Sequence, residues 1–200
     1  MSFNQLTRKE AIKLSLVAPS GSGKSTAAEH LCEYFSHRGL KVQVIKLAAP
    51  LYRLQEHFYS EACTALNPGA QDQKLLELVA GQLRLIDPFA LVKAFELELE
   101  KTGADVVIND DLRDDQIDWP YLREKGFKVI KIVTNPLSRK QRLESREDIS
   151  VIHESALDLQ IERIQPDFTL ANDSTPDAFR HQIRELAKCL MSSLPAGSLL

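Results

Sequence analysis

The stretch LVAPSGSGKST, residues 16–26, decides the fold. An apolar run containing Leu14, Leu16 and Val17 stops at Pro19 and gives way to small residues, then one lysine and two hydroxyls. A buried strand ending in a turn with Gly21 and Gly23 lets the backbone curl so that successive N–H groups point inward, which makes an anion nest. Ser20, Gly21, Ser22 and Gly23 form the curl, and Lys24, Ser25 and Thr26 open a helix whose N-terminal amides and dipole favour negative charge. The Lys24 ammonium is expected at the outer phosphates of a polyphosphate and the Ser25 hydroxyl at Mg²⁺. The spacing matches G-x-x-x-x-G-K-[ST] except at its first position, where Ala18 stands, and it implies a bound polyphosphate with Mg²⁺. A flexible Gly/Ser turn shares the composition, but it does not require Lys-Ser-Thr at this offset between strand and helix.

Two hundred residues suit one α/β domain with a sizeable core. A net charge of −3 argues against a surface built to neutralise a nucleic-acid backbone, so small anionic substrates are the easier expectation. Nucleic acid is not expected as a partner, and a homodimer is left open. Cys32, Cys63 and Cys189 are odd in number, widely spaced and without a C-x-x-C pair, which suits a reducing, cytoplasmic setting. The N-terminal MSFNQLTRKEAIK has no apolar signal core, and no stretch reaches the length of a membrane span.

Outward from the loop, residues 25–36 carry apolar positions at helical spacing, and KVQVIKL (41–47) alternates as a second strand that AAP breaks. Helical periods follow over 51–66 and 72–99, with a turn at 67–69 and a restart at Asp87-Pro88. Strands are predicted at 104–110, 127–134 and 167–173, and a closing helix at 175–193. Strands separated by helices imply a five-stranded parallel sheet with helices on both faces, and ligands gathered at the carboxyl ends of its strands.

Chemistry-bearing residues do follow those strand ends. VVINDDLRDD places carboxylates where one can hold Mg²⁺ directly or through water. Strand alternation puts Asp110 and Asp111 on opposite sides, with Asp111 and Arg113 expected to face the substrate and Asp110 to pack or cap. In NPLSRKQRLESRED, Arg139, Arg142 and Arg146 fall along one helical stripe that can close over transferring phosphates, or else form a solvated charged face. Pro50 and Arg53 follow the second strand, and Arg53 either grips a phosphate of the acceptor or lies exposed on its helix. Gly81 and Arg84 are candidates for the same cleft, and His153 either touches the acceptor or caps the next helix.

Together these motifs resemble the P-loop nucleoside monophosphate kinases, closest in motif order to the phage-type deoxynucleoside monophosphate kinases, with dephospho-coenzyme A kinases as relatives. The likeness spans residues 13–179. It rests on APSGSGKST, KLAAPLYR, LLELVAGQLRLIDP, VVINDDLRDD, SREDISVIHESALD and PDFTLAND in that order. It implies a single P-loop kinase domain over 1–200, with a helical acceptor-binding insertion at 51–101 and a short arginine-bearing lid at 136–155. It implies transfer of the γ-phosphoryl group of ATP to a (deoxy)nucleoside monophosphate or modified nucleotide. Lys24 and Ser25 then serve ATP and magnesium, Asp111 and Arg113 the acceptor, and Arg142 or Arg146 the lid. The chain departs from the family pattern at Ala18, near Gln116 and Asp118 where the family has glutamate, and in the order of HES. Two alternatives remain. One is a P-loop kinase for a hydroxyl, on dephospho-coenzyme A or a hydroxymethylated DNA base, which needs a general base. The other is a non-enzymatic nucleotide-dependent switch.

Overall fold

A computed structural model describes residues 11–67, 69–145, 148–150, 152 and 156–192. Five parallel strands, β1 (Ile12–Val17), β2 (Val42–Val44), β3 (Val106–Leu112), β4 (Lys128–Val133) and β5 (Phe168–Ala171), lie in the order β2-β3-β1-β4-β5. The central strand β1 is the one that runs into the glycine-rich loop. Its last four residues are buried, as expected of a parallel strand covered on both faces.

Helices α1 (Lys24–Ser36) and α8 (Pro176–Ser192) cover one face. There Leu14 and Leu16 of β1 meet Leu31 and Phe35 of α1 and Phe179 and Ile183 of α8 in one cluster. On the other face, Val17, Val107 and Val129 pack with Val92 and Phe95 of α4 (Ala90–Lys101), Leu122 of α5 (Asp118–Glu124) and Ile161 of α7 (Ala156–Arg163). A smaller cluster of Leu51, Val79 and Leu91 joins α2 (Ala49–Glu61) and α3 (Gln73–Ile86) to α4, so the helical excursion has its own core. Helix α6 (Pro136–Glu144) follows β4, with the Asn135 side chain accepting from the Ser138 amide at 2.8 Å as its N-cap.

Two boundaries differ from expectation. Strand pairing in β2 ends at Val44, although the Ile45 amide still donates to the Ile108 carbonyl at 2.9 Å. Alanine and proline after it begin α2 rather than simply breaking the strand, because Pro50 stands in the first turn, where a missing N–H is harmless.

The sheet carries one irregularity that matters for the site. Between Ser15↔Asn109 and Val17↔Leu112, β1 advances two residues while β3 advances three, so β3 holds a one-residue bulge at Asp110-Asp111. A bulge of this kind bends the strand and re-aims its side chains.

Candidate active site

The glycine-rich loop closes as its spacing demands. Gly21 and Gly23 have φ of 79° and 97°, the left-handed region that favours glycine. A Cβ on Gly21 would sit 2.9 Å from the Arg139 carbonyl oxygen, and one on Gly23 would run into Asn172 Nδ2. Ala18 is fully buried in the core, and Cys63 is the only non-glycine with positive φ among the described residues, so alanine fits at the first loop position.

Four elements brace the loop from outside. Asn172 Nδ2, just after β5, donates to the Ser22 carbonyl at 2.9 Å, and Thr134 Oγ1, just after β4, donates to it at 3.2 Å. Arg139 Nε of α6 donates to the Ser20 carbonyl at 3.2 Å, and Arg113 Nη2 beyond β3 donates to Ser20 Oγ at 3.0 Å. Inside the curl, Lys24 Nζ donates to the carbonyls of Ala18 and Pro19 at 2.5 and 3.2 Å. Carbonyls tied back in this way leave the first-turn amides of α1, which have no acceptor within their own helix, for an anion.

A cavity of about 460 Å³ opens over the loop. Ser20, Gly21, Gly23, Lys24, Ser25 and Thr26 line it, and Ser22 does not, its side chain being buried beneath the loop. A second cavity of about 320 Å³ lies between the start of α2, the face of α3 and the turn after β3. Tyr52, Gln71, Asp111 and Arg113 line both, so the two form one cleft with a shared wall.

Asp110 and Asp111 both line the cavity over the loop, which corrects the expectation from simple alternation. The bulge in β3 is the physical reason. Their partners differ. Asp111 accepts from the Leu47 and Ala48 amides, each at 2.9 Å, and from Asn109 Nδ2 at 2.6 Å, so it holds the chain at the start of α2. Burial and the neighbouring Asp110 nevertheless push its carboxyl up from the ordinary range. Asp110 pairs with Lys46 at 3.0 Å through Oδ2, while its buried Oδ1 has no hydrogen-bond partner.

The arginine stripe divides. Arg142 lines the cavity over the loop, donates through Nη2 to the Asn172 carbonyl at 3.1 Å, and leaves its buried Nη1 without a partner. Arg139 is occupied by Ser20 and by an ion pair with Asp158 at 3.1 Å, and it does not line the cavity. Arg146 and His153, both singled out by sequence, lie outside the described residues.

On the second cavity, Gly81 and Arg84 are lining residues, as the motif GQLRLIDP suggested. Nothing stands within 4 Å of where a Gly81 side chain would begin, so that glycine leaves open volume and is not a packing point. Pro50 and Arg53 line neither cavity, and Arg53 is exposed on α2. Sequence reasoning missed Lys46, Tyr52 and Gln71. A lysine just past β2 was a usable signal, because ligands gather at strand ends. The facing direction of Tyr52 and Gln71 depends on how α2 meets α3, which no local pattern reveals.

Among the described residues no group of three or more His, Cys, Asp or Glu stands ready to hold a metal, and no helix is long and apolar enough to cross a membrane. Mg²⁺ is not excluded by the first fact, since it is commonly held by one or two protein oxygens and the phosphates of its nucleotide. Ser25 and the unpartnered Asp110 Oδ1 belong to one cavity and fit that donor set.

No protein-family model matches the chain, and no curated protein matches it by sequence. Solved structures do. A shikimate kinase of Acinetobacter baumannii in complex with shikimate superposes with a TM-score of 0.54 at 16% identity, over 92% of this chain and 95% of the other. A gluconokinase of Sinorhizobium meliloti 1021 gives 0.51 at 17% identity, over 94% and 95%. The APS kinase of Mycobacterium tuberculosis in complex with AMPPNP and APS gives 0.50 at 16% identity, over 92% and 100%. The chain therefore has the fold of the P-loop small-molecule kinases: an α/β domain with a parallel sheet in the order 2-3-1-4-5.

Proposed function

We propose that this chain is an ATP-dependent phosphotransferase that moves the γ-phosphoryl group of ATP onto a small acceptor, and that the acceptor is a (deoxy)nucleoside monophosphate. The observation that carries the reading is the shared wall. Arg113 lines both cavities, one opening over the phosphate loop and the other bordered by the helical insertion. A guanidinium there can hold an acceptor phosphate beside the transferring group.

Phosphoryl transfer asks the protein for position and charge rather than covalent chemistry. Lys24 supplies charge at the outer phosphates, Arg113 orients the acceptor, and Arg142 neutralises charge that spreads over the transferring oxygens. Magnesium, held by Ser25 and Asp110, would supply charge neutralisation on the nucleotide's own oxygens. A monophosphate is already a nucleophile and needs no base, which agrees with an Asp111 carboxylate engaged by three donors.

One observation favours a hydroxyl acceptor instead. Asp110 Oδ1 lacks a partner and could take a proton, and the proteins of similar fold named above are kinases of shikimate, gluconate and APS. The deciding experiment measures ADP release with ATP and Mg²⁺ against each ribo- and deoxynucleoside monophosphate, with shikimate, gluconate, dephospho-coenzyme A and hydroxymethylated DNA as hydroxyl acceptors. Lys24→Ala is the inactive control. Stimulation by at least one monophosphate and by no hydroxyl acceptor is expected. The reverse pattern would establish the hydroxyl reading, and no stimulation by any acceptor would favour the switch.

A further inference from the structure

The end of the second cavity away from the phosphate loop is not simply apolar. Leu51, Leu76, Ala80 and Leu91 give it apolar walls, and the missing side chain of Gly81 leaves open space beside them. Against those walls stands a nearly buried ion pair: Arg84 Nη2 of α3 donates to Asp118 Oδ2 of α5 at 2.8 Å. The Asp118 side chain is only 5% exposed, and its second oxygen, Oδ1, has no hydrogen-bond partner. Gln160 of α7 lines the same cavity with its Oε1 also unpartnered. Neither residue touches the cavity over the loop.

Two buried acceptors without donors are expensive in an apolar cleft, and a ligand that donates to them offsets the desolvation. We infer that Asp118, positioned by Arg84, is the specificity-determining residue of the acceptor pocket, and that it selects a flat heterocycle carrying an amino group: an adenine, cytosine or guanine type over uracil or thymine. The inference rests on the nucleoside-monophosphate reading and deepens it. Uracil and thymine have no exocyclic amino group, only one ring N–H between two carbonyls, so a pose that satisfies one of the two acceptors turns a carbonyl oxygen toward the other, and the pocket rejects as well as attracts. Sites built around a hydrogen-bonding group discriminate far more strongly than apolar slots, because the wrong ligand leaves the buried group unpaired.

Steady-state kinetics on the full chain test this with CMP, dCMP, AMP, dAMP, GMP and dGMP against UMP and dTMP. The wild-type protein is expected to turn over an amino-bearing acceptor with kcat/KM about tenfold or more above that for UMP or dTMP, through KM more than kcat. Asp118→Asn keeps an oxygen for Arg84 but offers an N–H₂ to the ligand. That variant is expected to weaken the amino-bearing acceptor and strengthen UMP or dTMP, reversing the preference. A merely structural Asp118 would lower all acceptors by one factor. Equal or better turnover of UMP or dTMP by the wild type, or a uniform loss in the variant, overturns this inference and leaves the kinase reading standing. Turnover of a hydroxyl acceptor with no nucleotide active overturns both. The wild-type preference needs no variant, so it decides the matter even if D118N fails to fold.

Discussion

Asn172 and Gly23 stand against each other so closely that a single Cβ on the glycine would collide with Asn172 Nδ2, the atom that donates to the Ser22 carbonyl at 2.9 Å. The end of β5 therefore shapes the phosphate loop directly, and it does so across about 150 residues of sequence. The same Asn172 carbonyl accepts from Arg142 Nη2, which makes the asparagine the joint between loop and arginine helix.

Gly23→Ala is accordingly expected to fail twice. The left-handed backbone at φ 97° costs an alanine about 1–2 kcal/mol, and the methyl group displaces Asn172 as well. Melting should fall by roughly 3–8 °C, with ATP-dependent stabilisation lost. Thermal melts with and without Mg·ATP check both, and a variant that still gained stability from ATP would count against this loop geometry.

How much of this was legible in the sequence follows from how local each feature is. The phosphate loop is written in adjacent residues, since φ, chain direction and helix start are all set within residues 18–26. The strands and the covering helices showed through because a doubly covered sheet requires near-continuous apolar runs such as those of β1 and β3. The roles of Asp110 and Asp111 were hidden, because the bulge that presents both depends on the register of β3 against β1 and not on the sequence of β3 alone. Arg84 and Asp118 lie 34 residues apart on different helices, and nothing but the fold pairs them. Arg53 misled because it follows a strand end, yet it lies exposed on α2 and lines neither cavity.

The two neighbouring aspartates should separate by phenotype. Asp110→Asn is expected to cut kcat by about 10²-fold or more at little cost in stability, since it removes the carboxylate charge that would hold Mg²⁺ at the phosphates and keeps the shape. Asp111→Asn turns one oxygen, an acceptor of backbone amides, into a donor. It should destabilise by about 1–3 kcal/mol and raise the acceptor KM by loosening the start of α2. Chemical denaturation and steady-state kinetics on both variants distinguish these effects, and identical profiles would contradict the division of roles.

The two described arginines of the stripe should differ as well. Arg142→Ala is expected to lose about 10²- to 10³-fold in kcat with KM less affected, the signature of charge supplied mainly in the transition state. Arg139→Ala removes a brace on Ser20 and the pair with Asp158, so it should lower stability and raise the KM for ATP while kcat holds within about tenfold. An Arg142→Ala protein with wild-type kcat at saturating substrates would remove that residue from the transition state.

Asp118 also leaves a thermodynamic trace that needs no substrate. Burial raises its carboxyl to about 6, against the pull of Arg84 from α3 and with Asp114 and Asp111 adding to the rise. A carboxyl raised in the folded chain binds its proton more readily there than in the unfolded one, where its value is near 3.8. The folded state therefore gains stability from this group as pH falls through 6, and it bears the cost of the buried charge above 6. Asp118→Asn carries no such titration. The melting temperature of the wild type relative to D118N should rise as pH drops from 8 to 5, by about 1 kcal/mol or roughly 2–4 °C for a chain of this size. Taking the difference between the two proteins at each pH cancels every other titrating group they share. A difference that stayed flat, or that moved in favour of D118N on acidification, would show that the Asp118 carboxyl is not held above its ordinary range.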